Sequence, residues 1–234
     1  MRDSRAASEA AGWPAPSAGT DTKERLLDAA ERLFADRGFE GASMRAVTQA
    51  AGAAVSAANY HFGSKEELLA AVLRRRVEPL NRRRLQLLDA LRTQGEGPAA
   101  LEDVVDAYVR PAIELYAQTA AHADPTLARH VAARLFADPP EIVASLKAEL
   151  FRTVNERFSE AVSGALPGVS RERCALLLQF TTGMLIHLIS GQIDPQLLGA
   201  LDNGADGTPG DALRCALTRY ATAGLRAAAA EEPA

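Results

Sequence analysis

Apolar residues between Leu26 and Phe62 recur every three or four positions, and the polar residues between them fall on the other side of each turn. This spacing predicts a first helix capped by Asp21, with Leu26, Leu27, Ala30, Leu33 and Phe34 facing the core, Gly38 closing it and Phe39 as an apolar follower. Ser43 caps a second helix that turns Met44, Val47 and Ala51 inward and Arg45, Thr48 and Gln49 outward. After a tight Ala51-Gly52 turn comes a third helix, in which Val55, Ala58 and Phe62 share one stripe while Ser56, Ala57 and Tyr60 point the opposite way. Asn59 falls nearer the packed stripe in phase. Ser64 and Glu67 occupy the reciprocal positions of a capping box and open a long helix that Gly95-Glu96-Gly97-Pro98 ends, with a kink expected at Pro79.

Downstream, helix starts are expected at Pro98, Asp124-Pro125, Asp138-Pro139-Pro140, Ser170 and Thr208-Pro209. Pro111 should bend the helix that begins near Pro98, and residues 202–207 read as a mobile loop. No β-branched alternation interrupts the helical runs, so the fold class is all-α. The expected organisation is a disordered arm over 1–19, a three-helix domain over 20–66, a second helical domain over 67–229, and a tail over 230–234.

The second and third helices together read as a helix-turn-helix. Its apolar stripe anchors the third helix, and the opposite face is open to a major groove. Ala57 lacks bulk and Ser56 is short, so this helix can lie deep against base edges while Tyr60 reaches the sugar-phosphate wall. Lys65, on the first turn of the long helix, adds a cation to a cluster of backbone N–H groups, a pairing that suits a phosphate. A plain helical hairpin is the alternative. Net charge is -4, but residues 20–93 carry 13 Lys/Arg against 10 Asp/Glu, and the acidity lies elsewhere. That split is compatible with DNA contact by one end of an acidic protein. Arg74 to Arg76 and Arg82 to Arg84 lie roughly 14 to 29 Å along the helix from Lys65 at its 1.5 Å rise per residue, and read as mostly solvated or interdomain.

The helix expected from Ser170 to about Gln192 has no formally charged residue between Cys174 and Ile193. A membrane span is one reading; Gln179, Thr181, Thr182, His187, Ser190 and Gln192 oppose it, as does the lack of a flanking basic cluster. The other is a helix buried on one side by its own subunit and on the other by a partner. In the last helix Leu213, Leu217, Tyr220 and Gly224 form a stripe, with Ala216, Ala221 and Ala223 permitting close approach. Two such helices from each chain would form a four-helix interface in a homodimer. Candidate effector contacts are apolar: Ile113, Tyr116, Phe136, Phe151, Phe158, Phe180 and Met184, with His187 as the polar group among them. Each also reads as ordinary core, and His187 as a satisfied core or interface histidine, a ligand hydrogen-bond donor or a metal ligand.

Enzymatic constellations are missing: no nucleophile elbow, P-loop, dinucleotide fingerprint or paired-histidine metal motif occurs. No cofactor or metal is expected. Cys174 and Cys215 lack metal-ligand spacing and read as reduced thiols of a cytoplasmic protein with no membrane partner. A helical dimer that binds a protein partner, its DNA domain vestigial, stays open as a second function.

Residues 20 to 65 resemble the DNA-binding domain of the TetR family of transcriptional regulators. The likeness rests on the Asp28-Ala29-Ala30-Glu31-Arg32-Leu33-Phe34 run, Arg37-Gly38-Phe39, the Ala51-Gly52 turn and Tyr60-His61-Phe62-Gly63-Ser64-Lys65. It implies that Ser43, Arg45, Tyr60, His61 and Lys65 touch operator phosphates or groove edges. The same likeness implies the two-fold four-helix interface and operator DNA as partner; an apolar or amphipathic small molecule entering residues 98–193 is expected to release the DNA by favouring one spacing of the two DNA heads. Ala54 departs from the family's usual Ser, Thr or Asn at the start of the recognition helix, a loss of roughly 1 kcal/mol of capping. The Asn59-to-Lys65 wording looks like a subgroup that includes regulators of fatty-acid metabolism, which would suit an acyl chain or acyl-CoA.

Overall fold

Each early helix begins where a short polar side chain answers an orphan N–H. Asp21 accepts from the Lys23 N–H (3.0 Å) to open α1 (Thr22–Gly41), and Ser43 accepts from Ala46 (3.1 Å) to open α2 (Met44–Ala50). Ala54 begins α3 (Val55–Phe62) with no side-chain cap. Ser64 accepts from the Glu67 N–H (3.1 Å) to open α4 (Lys65–Arg92). The expected capping box is half formed: the Ser64 N–H donates to the Phe62 carbonyl at 2.8 Å. Gly38, at φ 71°, breaks α1 without ending it, and the extra turn folds Phe39 back so that its ring centroid lies 5.9 Å from that of Phe34.

The computed structural model describes residues 21–93, 97–121, 141–190, 193, 195–198, 201 and 208–230. Among these, the remaining helices are α5 (Leu101–Ala121), α6 (Glu141–Ala165), α7 (Arg171–Ile189), the single turn α8 (Pro195–Leu198) and α9 (Pro209–Ala230). Neither Pro79 in α4 nor Pro111 in α5 ends its helix. Residues 1–19, 202–207 and the starts expected at Asp124 and Asp138 lie outside the described residues.

Two hydrophobic cores result. The first gathers Leu26, Leu27, Ala30 and Phe34 of α1, Val47 of α2, Ala58 and Phe62 of α3, and Leu68, Val72 and Leu73 of α4. Leu146 of α6 also inserts into it. The second joins α5, α6, α7 and α9 through Tyr108, Ile113, Phe158, Leu178, Leu185 and Leu225, with Leu88 from the far end of α4. Truncating one such leucine to alanine costs about 2–5 kcal/mol. Helix α4 therefore belongs to both cores and is the shaft between them.

Two phases differ from expectation. Val55 does not anchor α3; it is 46% exposed, at a helix end that projects past the core. Thr48 is buried, because its hydroxyl donates to the Arg45 carbonyl at 3.0 Å and removes its need for water.

Candidate nucleic-acid interface

Helix α3 is held from behind by buried Ala58 and Phe62 and set at an angle to α2 by Gly52, whose φ of 60° is a left-handed conformation glycine adopts freely. The Ala53 N–H donates to the Thr48 carbonyl at 2.9 Å, closing the turn. At the other end Gly63 (φ 72°) caps the helix through its N–H to the Asn59 carbonyl (2.9 Å). The face left outside carries Ser56, Asn59 and Tyr60, with half-buried Ala57 between. Tyr60 is 87% exposed and stands edge-on to the His61 ring, 5.3 Å between centroids. Asn59, expected nearer the packed stripe, lies on this outer face, where its amide presents both a donor and an acceptor.

Arg45 is exposed on α2, while the Ser43 hydroxyl is engaged in capping that helix. Lys65 is less free than its position suggests. Its Nζ donates to the Phe39 carbonyl at 3.0 Å and sits 4.1 Å from the Phe39 ring centroid, tying the first turn of α4 to the end of α1. An ammonium carries three protons, so this contact fixes the charge without exhausting its donors. Arg25, not singled out from the sequence, comes within 4.0 Å of where a side chain at Gly52 would begin, beside the turn. A cation adjoining the turn has no signature in local spacing.

Within the arginine runs on α4, Arg75, Arg76 and Arg84 are internal fasteners, while Arg82 is exposed. Arg75 reaches Asp28 (2.8 Å), Glu24 (3.3 Å) and Glu31, and Arg76 also binds Glu31. Glu31 is 1% exposed, so these are desolvated pairs between α1 and α4. Burial pulls the Arg75 guanidinium down, but Glu31 and Asp28 outweigh it and hold the group above its usual range. Further along α4, Asn81 donates to the Leu150 carbonyl of α6 (2.8 Å) and Arg84 to the Tyr108 carbonyl of α5 (2.9 Å).

The residues expected to meet an effector separate into three groups. Ile113 and Phe158 are fully buried core, with Phe158 edge-on to Tyr108 at 5.0 Å; Tyr116, Phe151 and Met184 are half-buried. Phe136 lies outside the described residues. Phe180 and His187 are corrected outright: both are exposed, on the side of α7 facing away from the core. An open groove of about 420 Å³ lies among α4, the start of α5 and α6, bounded by Leu88, Arg92, Pro98, Arg157 and Glu160, and none of the expected effector residues lines it.

The expected dimer stripe divides as well. Leu213 is buried in its own subunit and Leu217 is half-buried against the same core, because α9 packs that edge onto α5. Tyr220, 70% exposed, and Gly224 do face outward. On α7 the outward set is Leu176, Phe180 (61% exposed), Gly183 and His187, at helical intervals of four, three and four. Both helices thus leave an apolar face without a partner in the monomer.

A glycine-set helical corner, a recognition helix with a small-residue outer face, and a helical bundle behind them define a helix-turn-helix protein with an all-helical second part. Two family models match the chain: "Bacterial regulatory proteins, tetR family" over residues 26–72 and "Tetracyclin repressor-like, C-terminal domain" over residues 106–224. The chain belongs to the TetR family. It is 40% identical over 55 residues to the HTH-type transcriptional repressor AcnR of Corynebacterium glutamicum, a match covering 24% of this chain and 29% of that protein. The chain therefore spans less than a third of that relative's length. A TetR-family transcriptional regulator from Bordetella parapertussis superposes with a TM-score of 0.58 at 20% identity, over 87% of this chain and 95% of the other. AibR, solved in complex with isovaleryl coenzyme A and operator DNA, does so with a TM-score of 0.58 at 19% identity, over 85% and 97%. Among the described residues no helix is long and apolar enough to cross a membrane.

Proposed function

We propose that this chain is a ligand-responsive transcriptional regulator, a repressor that binds a palindromic operator as a homodimer and is released by a small apolar or amphipathic effector. The observation that carries the reading is the outer face of α3, where Ser56, Ala57, Asn59 and Tyr60 stand clear of a packed back. A short helix of this kind enters the major groove, and the flanking Arg45, His61 and Lys65 would then meet the backbone. Dimerisation through the outward faces of α7 and α9 would bury Leu176, Phe180 and Tyr220 and present two recognition helices to two half-sites. The effector reading is supported by AibR, a fold relative that holds an acyl-CoA together with operator DNA. A fatty acyl compound is accordingly the first class to try.

Fluorescence anisotropy on labelled operator DNA across a salt series tests the DNA reading. Affinity should fall steeply with salt, and Lys65→Ala should weaken every sequence alike and flatten the slope by about one ion. An unchanged slope would remove Lys65 from the phosphate contacts.

A further inference from the structure

Arg84 is 3% exposed, and its surroundings do not neutralise it. Nε donates to the Tyr108 carbonyl at 2.9 Å, and the guanidinium lies 4.1 Å from the centroid of the Tyr108 ring. Nη1 makes a long contact with Asn81 Oδ1 at 3.4 Å. No carboxylate there pairs with Arg84. Pro111 removes the N–H that would pair with the Ala107 carbonyl, one residue before Tyr108, and loosens the α5 ladder beside this contact. A neutral amide could serve the Tyr108 carbonyl equally well. What remains unexplained is a full positive charge in a core, where charges are ordinarily paired.

The neighbourhood suggests the missing partner. Around Arg84 stand the Tyr108 and Phe158 rings, stacked edge-on, in the second core. Leu88 lies one helical turn beyond Arg84, and Ala161 lies three residues beyond Phe158; both line the open groove among α4, α5 and α6. The floor of that groove thus adjoins the Arg84 cluster. Arg84 lies behind that lining, so an anion reaching it passes the charged Arg92, Arg157 and Glu160 at the rim and must then seat an apolar body against Leu88 and Ala161; a carboxylate matches the guanidinium's planar fork.

We propose that Arg84 is the anion receptor of the effector site, and that the effector is an amphipathic molecule whose free carboxylate pairs with it. The proposal rests on the effector reading above. Arg84 sits on α4, the helix whose other half is fastened to α1 by Arg75 and Arg76, so a ligand drawn to Arg84 acts on the shaft leading to the DNA helices.

The test measures binding and DNA release separately on the full-length protein, with hexanoate, decanoate and palmitate against the matched alcohols, and with inorganic phosphate as a bare anion. At least one acid should bind, its alcohol about ten- to a hundredfold more weakly, and phosphate not at all in the same range. Arg84→Gln should erase the preference for acid over alcohol, and Arg84→Lys should keep part of it. Acid and alcohol binding alike to the wild type, phosphate doing as well as the acids, no acid binding, or a preference that survives Arg84→Gln would each overturn the assignment. The wild-type comparison stands even where a variant folds poorly. Acid binding at Arg84 without operator release would leave the receptor intact and sink the effector reading; release by neutral ligands regardless of Arg84 would do the reverse.

Discussion

The two halves of α4 each bury a charge and treat it in opposite ways. Near the DNA end, Glu31 at 1% exposure meets two guanidiniums, and α1 and α4 are fastened by complementary charge. In the distal half, Arg84 at 3% exposure meets a carbonyl, an aromatic face and one amide, none of them anionic. The contrast teaches that the shaft has a fixed end and an end with unmet electrostatic demand. An anionic ligand could add electrostatic free energy at the second, and a conformational equilibrium moves only where a ligand distinguishes its states.

The comparison is broken most severely by Glu31→Ala. It removes the buried carboxylate that Arg75 and Arg76 share, leaving Arg75 only Asp28 and Glu24, and urea unfolding should show a loss of about 3–5 kcal/mol. Arg84→Met should cost far less, within about 2 kcal/mol, because an apolar side chain of similar length relieves an unpaired buried charge while giving up one carbonyl bond. Equal losses at the two sites would mean that Arg84 is as well compensated as Glu31.

A second substitution asks whether the faces turned away from both cores are interface. Phe180→Glu places a like charge in each copy of a two-fold contact, and several kcal/mol of association should be lost. Sedimentation should then report a folded monomer with weakened operator binding. A dimer of unaltered stability would show that α7 does not form the contact.

The smallest effect is expected at the uncapped helix. Ala54→Ser supplies a side-chain acceptor to α3, whose start lacks one, and should stabilise the protein by about 0.5–1 kcal/mol in thermal or urea unfolding. No gain would mean that the first turn of α3 is already satisfied by solvent.

Local signals made the DNA end readable: apolar periodicity, the caps at Asp21, Ser43 and Ser64, and the glycine at the α2–α3 turn all act within a few residues. Phase was lost where local rules run out. Val55 sits on a helix end with nothing to pack against, and Thr48 hides its hydroxyl in its own backbone. In alanine-rich α9 both sides are apolar, so periodicity could not say that Leu213 faces its own core while Tyr220 faces away. The arginine runs were the least legible: Arg75 to Glu31 spans 44 residues and Arg84 to Tyr108 spans 24, and nothing in a run of like charges announces which member will be buried.

The outer face of α3 is proposed to read DNA as part of a symmetric dimer. Selection of bound duplexes from a random-sequence pool by the full-length protein tests it most directly. An inverted repeat with half-sites about 34 Å apart or a multiple of that should be enriched, and Asn59→Ala should relax the choice of base within each half-site. Recovery of no shared sequence, or of the same sequence with the same selectivity after both Asn59→Ala and Tyr60→Ala, would contradict it.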